Sequence, residues 1–148
     1  SGILSNFYPC TFVIDDIKFS SSEQAFMLFK ACEFSDEQTA LQIMQTNNPA
    51  KCKKLGRGVV GFNQDHWRYV GVQYMEEACL AKFSQNTELL EYLRSTGDKI
   101  LVEASPWDKY WGIGLGADNP LRFREDLWPG ENKLGIVLMA VRDKLCKN

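Results

Sequence analysis

With 148 residues, 45% of them hydrophobic, the chain has the length and apolar content of one compact domain spanning residues 1–148. A formal charge of only −2, with charged residues spread along the sequence, excludes a general electrostatic grip on nucleic acid, so a charged ligand must be held locally. No apolar run is long enough to span a bilayer and none reads as a secretory signal, which leaves a soluble, cytoplasmic protein without a membrane partner as the expectation.

In chain order, CTFVIDDIKFS alternates apolar residues, Phe12 and Ile14, then Ile17 and Phe19, around Asp15-Asp16, the pattern of a short hairpin with a tight turn. SSSEQAFMLFK follows, and Ser20 with Glu23 has the capping-box spacing that predicts a helix running to about Cys32. Ser35 is placed to cap a second helix, DEQTALQIMQT. Asn48-Pro49 starts a short third one, with Pro at the first helical position and Gly56 near its end. The longest helix is expected from Asp65 to about Phe83, where Trp67, Val70, Tyr74, Ala78 and Ala81 recur at three- and four-residue intervals. Thr87 caps ELLEYLRST, which Gly97 stops.

KILVEAS is the one β-like run of the second half, and SPWDKYWGIGLG then abandons periodicity, as a structured loop does. Asn132 is placed to cap a last helix with an apolar stripe of Leu134, Leu138, Val141 and Leu145. The fold class that results is mainly α, with a small antiparallel β-hairpin or sheet.

Two stretches stand out chemically. Glu23, Phe26, Met27 and Lys30 share one face of the first helix, while Ala25, Leu28, Phe29 and Cys32 make the opposite side apolar, so the helix is expected to be buried on both sides. An acid and an amine there need a cavity, a partner or a ligand. The bland alternative is that Glu23 caps the helix through Ser20 and Lys30 reaches solvent. The second stretch, LVEASPWDKYWGIG, sets Glu103 and Asp108 among Trp107, Tyr110 and Trp111, and aromatic faces beside carboxylates suit a flat ring attached to a sugar. Its alternative is a Trp-rich core corner with tight turns at Gly112 and Gly114.

The basic run KCKKLGR reads as a solvated helix face, and the lone histidine, His66, as a surface residue at a helix start. Five scattered cysteines with no CxxC pair argue against zinc and against a disulfide framework.

ILSNFYP, SSSEQAFMLFK, KKLGRGV, LAKFSQNTELLEYLRSTGDKILVEAS, DKYWGIGLG and WPGENKLGIVLMAVRDKL occur here in one order, and in that order the chain resembles the YbiA-like or NADAR family from Leu4 to about Leu145. The resemblance implies a small, predominantly helical N-glycosidase acting on a ribose C1′–N bond. Its substrate would be either a phosphoribosylated pyrimidine of riboflavin biosynthesis or ADP-ribose linked to guanine in a nucleoside or nucleic acid. No metal or organic cofactor is implied.

The family's SSE motif, with a lysine seven positions after its Glu, falls on Glu23 and Lys30, and EAS-x-x-D-x-x-W-G falls on Glu103, Ala104, Ser105, Asp108, Trp111 and Gly112. Asn6 and Phe7 match the entry motif, Trp67 the long helix, and Asn132 the W-x-G-x-N-x-L-G segment. Gln24 stands where many members have His and Met27 where a Gln is usual, departures that bear on substrate choice more than on reaction type. The implied roles are Lys30 as acid or covalent nucleophile and Glu23 orienting or charging it. Asp108 and Glu103 would hold ribose hydroxyls or the attacking water, with Asn6, Phe7, Trp67, Ser105, Trp111, Gly112 and Asn132 binding substrate. The rival readings are a non-catalytic module that binds ADP-ribose or a nucleotide, and a helical interaction domain.

Overall fold

The computed structural model describes residues 2–147. The chain folds into two compact units, Ser1–Ser95 and Thr96–Asn148.

The first unit opens with a hairpin of β1 (Phe12–Ile14) and β2 (Ile17–Phe19), in antiparallel register with Phe12 opposite Phe19 and Ile14 opposite Ile17. Asp15 and Asp16 form the predicted turn with φ of 49° and 67°, the left-handed values that a twist-matched two-residue turn demands. Phe12 and Phe19 are buried and their rings meet at 5.6 Å, while Val13 and Ile17 face outward. The side-chain amide of Gln85 covers the open edge of β1: it accepts from the Val13 N–H and donates to the Val13 carbonyl, both at 2.8 Å.

Five helices follow: α1 (Ser22–Glu33), α2 (Glu37–Met44), α3 (Pro49–Arg57), α4 (Gln64–Ser84) and α5 (Thr87–Ser95). α1 is the hub, packed on α2, α3 and α4, and every residue from Ser22 to Leu28 is buried.

Two of the caps lie one residue from where the sequence puts them. α1 is capped by Ser21, whose hydroxyl accepts from the Gln24 N–H at 3.1 Å, and Gln24 Oε1 reaches back to the Ser20 N–H and hydroxyl. Gln24 thus reaches the residue before the N-cap and not the N-cap N–H of a strict capping box, and it also donates to the Ile43 and Thr46 carbonyls. A carboxylate at that position could not make the second pair of bonds. α2 is capped by Asp36, which accepts from the Thr39 N–H, and Ser35 instead takes a left-handed φ of 59°. α3 starts at Asn48-Pro49 as expected but runs through Gly56 to end at Gly58.

Gly56 lies inside α3 because Met27 of α1 fills the space beside it: a Cβ at position 56 would come within 2.1 Å of Met27 Sδ. Gly56→Ala is expected to overpack this contact and cost about 1–3 kcal/mol, read as a lower urea midpoint. An unchanged midpoint would show that α1 and α3 separate freely there.

The second unit carries two 3₁₀ turns, Pro120–Phe123 and Glu125–Leu127, and α6 (Lys133–Cys146). KILVEAS is irregular and forms no strand, contrary to the β-like expectation. At its middle it is bonded by a side chain: Asn132 Nδ2 donates to the Leu101 carbonyl at 3.0 Å and Asn132 Oδ1 accepts from the Glu103 N–H at 2.9 Å. Asn132 thus replaces a neighbouring strand and does not cap α6, in agreement with its left-handed φ of 54°.

The first N–H groups of α6 are satisfied by loop carbonyls instead, Lys133 by Tyr110 and Leu134 by Trp111. Leu134, Leu138 and Val141 of the expected stripe are buried, and Leu145 is half-buried. Arg142, also buried, donates to Thr96 Oγ1 at 2.9 Å and to the Lys99 carbonyl at 2.8 Å. All five cysteines are free thiols, and among the described residues no helix is long and apolar enough to cross a membrane.

Candidate active site

Glu23 and Lys30 project from the same face of α1, toward α3 and the start of α4. Glu23 is 7% exposed, and its backbone N–H donates to the Asn6 carbonyl at 3.0 Å. It sits close enough to Cys52 of α3 that burial and the Glu23 charge together push that thiol up to about 11. Lys30 is half-buried, with its ammonium 4.4 Å from the centre of the Phe62 ring. Burial pushes its pKa down, Glu23 pulls it back up, and Arg57 lowers it further. Lys30 therefore responds to the Glu23 charge. The bland reading of Glu23 as a helix cap does not hold, since Ser21 and Gln24 do that work.

The remaining wall of this face is aromatic. Phe26 meets Trp67 at 5.1 Å between ring centres, Trp67 stacks with Tyr74 at 5.7 Å, and Phe34 meets Phe62 at 5.3 Å. Trp67 is only 7% exposed, so it anchors this wall from within. At the C-terminal end of α1, Glu33 accepts from Tyr74 Oη at 2.5 Å and pairs with His66 Nε2 at 2.7 Å, which ties α1 to α4. These bonds hold the Glu33 carboxyl below its usual range and push Tyr74 up to about 12. His66 is exposed in the first turn of α4, as the sequence predicts.

Asn6 is buried and docked onto α1: its side-chain oxygen accepts from the Ser22 hydroxyl at 2.8 Å, and its amide donates to Met75 sulfur at 3.4 Å. Phe7 is half-buried, with the Lys53 ammonium 5.9 Å from its ring. Lys51, Lys53, Lys54 and Arg57 lie on the exposed side of α3, while Cys52 and Gly56 turn inward, as expected of KCKKLGR. The sequence did not flag Ser22, the partner of Asn6; its signal was the third serine of SSS, polar yet placed in an apolar helix.

The second unit gathers Glu103, Ser105, Asp108, Trp111, Gly112 and Asn132. Asp108 Oδ1 accepts from the Tyr110 and Trp111 N–H groups at 2.9 and 2.8 Å, folding the loop back on itself. The Glu103 carbonyl accepts from Ser105 and Ile113 N–H groups at 3.1 and 2.9 Å. A Cβ on Gly112 would approach the Asp108 and Glu103 carbonyls to 2.8 and 2.9 Å, so this close turn requires glycine. Trp107, by contrast, is 92% exposed and belongs to no core corner.

Among the described residues no group of His, Cys, Asp and Glu is arranged to hold a metal ion. One open hollow of about 650 Å³ lies between α2 and α3, lined by Thr39, Asn48, Lys51 and Lys54 among others. Another, of about 380 Å³, lies in the second unit among Ile100, Val102, Phe123 and Trp128. Neither is lined by Glu23 or Lys30.

Comparison with known proteins assigns the chain. It is 40% identical over 147 residues to N-glycosidase R617 of Acanthamoeba polyphaga mimivirus, covering 96% of this chain and 86% of that protein. It is 31% identical over 144 residues to the riboflavin biosynthesis protein VVA0006 of Vibrio vulnificus, covering 97% of this chain but 35% of the relative. The NMR structure of the E. coli protein YbiA superimposes with a TM-score of 0.78 at 31% identity, over 98% of this chain and 78% of that one. It has the helical fold that the resemblance implied. The NADAR domain model matches residues 1–146, and the chain belongs to the NADAR domain family.

Proposed function

We propose that the protein is an N-glycosidase that hydrolyses the bond between ribose C1′ and a nitrogen, with ADP-ribose linked to guanine as the favoured substrate and a phosphoribosylated pyrimidine as the other. The observation that carries this reading is the Glu23–Lys30 pair: a buried carboxylate and an amine pushed down by burial on one face of α1. The names of relatives support the reaction class, since one is called an N-glycosidase and another a riboflavin biosynthesis protein. Residues 1–148 act in this reading as one functional domain, supported by the match of the family model over residues 1–146.

Breaking a ribosyl C–N bond builds positive charge on C1′ and the ring oxygen, and the departing nitrogen needs a proton. In the acid route, the Lys30 ammonium protonates that nitrogen while water attacks C1′. In the covalent route, the neutral Lys30 amine attacks C1′ as the bond to the base breaks, the proton shed by the amine passes to the departing nitrogen, the ribose ring opens to an imine, and water hydrolyses it to the free sugar and the lysine amine. Glu23 charges the amine in the acid route and orients it in the covalent one. Asp108 and Glu103 take ribose hydroxyls or the attacking water, and Asn6, Phe7, Trp67, Ser105, Trp111, Gly112 and Asn132 shape the binding surface. A nucleic-acid substrate would be held through its ADP-ribose, since the net charge of −2 offers no general grip on phosphates. In this reading the reaction takes place in the cytoplasm.

The test is incubation with guanine-linked ADP-ribose and with phosphoribosylated riboflavin-pathway pyrimidines, reading products by mass. Free base with ADP-ribose or ribose phosphate is the expected result; saturable binding without any product would leave a recognition module.

A second prediction concerns the pair itself. The Glu23 carboxylate stabilises the Lys30 ammonium, so Glu23→Gln lowers the Lys30 pKa further. The limb of the pH–rate profile due to Lys30 is expected to move to lower pH, and a stationary limb would uncouple the two residues.

A further inference from the structure

Lys82 lies near the C-terminal end of α4 and is 1% exposed, a burial an ammonium group tolerates only with strong acceptors. It donates to the Ile3 carbonyl at 2.7 Å and the Ser5 carbonyl at 2.9 Å, and the rings of Phe83 and Tyr8 lie 5.0 and 5.9 Å from its nitrogen. Burial pushes its pKa down, and the thiols of Cys79 and Cys10 pull it up.

The acceptors belong to the segment that carries Asn6 and Phe7. The Ser5 carbonyl also accepts from the Tyr8 N–H at 3.1 Å, so both of its lone pairs are engaged. One residue on, the Asn6 carbonyl takes the Glu23 N–H at 3.0 Å and the Ser22 hydroxyl at 3.4 Å. The result is a continuous set of bonds from Lys82 through Ser5 and Asn6 to the first turn of α1, where Glu23 sits. A core side chain needed only to fill space at position 82 would be apolar, whereas a lysine supplies donors to two backbone carbonyls at once.

We propose that Lys82 is a positioning residue for the reaction: by clamping the Ile3 and Ser5 carbonyls it docks Asn6 on α1 and holds Phe7 and Glu23 in the geometry that Lys30 chemistry requires. This rests on the N-glycosidase reading for its catalytic half, while the clamp itself stands apart from it.

The experiment compares the full chain with Lys82→Met, which keeps the length and loses the donors. Lys82→Gln, which keeps one donor group, takes its place if Lys82→Met does not fold. Two quantities are measured: amide hydrogen exchange of Phe7, Tyr8 and Glu23, with Ala78 and Cys79 as internal references, and kcat per folded molecule on whichever substrate the wild type turns over. Exchange at the three amides is expected to rise about 10-fold or more with the references unchanged, and kcat to fall about 100-fold, the scale of a small misplacement of catalytic groups.

A merely structural lysine would lower the melting temperature and the folded fraction but leave kcat per folded molecule intact, which overturns the positioning role. Unchanged exchange at Phe7, Tyr8 and Glu23 overturns the clamp whatever the activity does. If the wild type turns over neither substrate, the N-glycosidase reading and the catalytic half fall together, and the exchange data still decide the clamp.

Discussion

Lys30→Met is expected to lower kcat/KM on the cleaved substrate by about 10³-fold, the middle of the range associated with a positioned proton donor or acceptor. Methionine keeps the length of the side chain and its apolar body beside Phe62 but carries no amine. Lys30 is half-buried and at the edge of the aromatic wall, so the protein should remain folded and the loss should fall on chemistry. Full turnover by Lys30→Met would remove the central assignment.

The same residue separates the two routes. Because burial lowers its pKa, Lys30 is neutral in a larger fraction of molecules at a given pH than an ordinary lysine. A nucleophilic amine gives a rate that rises with pH through that pKa; an ammonium acid gives one that falls. Borohydride added during turnover would reduce a ring-opened imine to a stable adduct on Lys30, visible by mass, and would leave the acid route untouched.

Asn132→Leu should have the largest effect on stability, about 3–8 kcal/mol in urea unfolding. The replacement removes the donor to the Leu101 carbonyl and the acceptor for the Glu103 N–H, and each stranded backbone group costs about 1–3 kcal/mol. It also forces a branched side chain into a left-handed φ of 54°, worth about another 1–2 kcal/mol. Leucine is large enough to hinder a water from repairing the bonds. Against a typical total of about 5–15 kcal/mol, this brings the protein to the edge of unfolding. A cost below about 1 kcal/mol would mean that KILVEAS is held by something other than the Asn132 amide.

Much of the first unit was legible because its signals are local. Asp15-Asp16 between alternating apolar residues specifies a hairpin by backbone conformation alone, and the three- and four-residue recurrence over Trp67–Ala81 specifies a helix by its period. Asn48-Pro49 marks a helix start because the first residues of a helix need a cap and no N–H. The placement of Glu23 and Lys30 on one face also follows from helical geometry. Even so, the choice between Ser20 and Ser21 as cap turned on what Gln24 could reach in α2, and no spacing rule carries that information.

The second unit was less legible, because its organisation depends on partners far apart in sequence. KILVEAS has strand composition, yet the Leu101 carbonyl and the Glu103 N–H within it are both bonded by one asparagine side chain about thirty residues away. Asn132 precedes a helix in the manner of a cap, yet loop carbonyls from Tyr110 and Trp111 satisfy that helix first and free the amide for other work.

What the sequence by itself determined was the helical architecture, the family, and the pairing of an acid with an amine on α1, all of which follow from period, capping chemistry and motif order. Tertiary structure alone decided that Glu23 is buried and lowers its neighbour's acidity, that Gly56 must yield its side chain to Met27, and that Lys82 is a core residue bonded to the entry segment. These depend on which surfaces meet and which polar groups then lose water. That is a property of distant contacts, and neither propensity nor spacing along the chain encodes it.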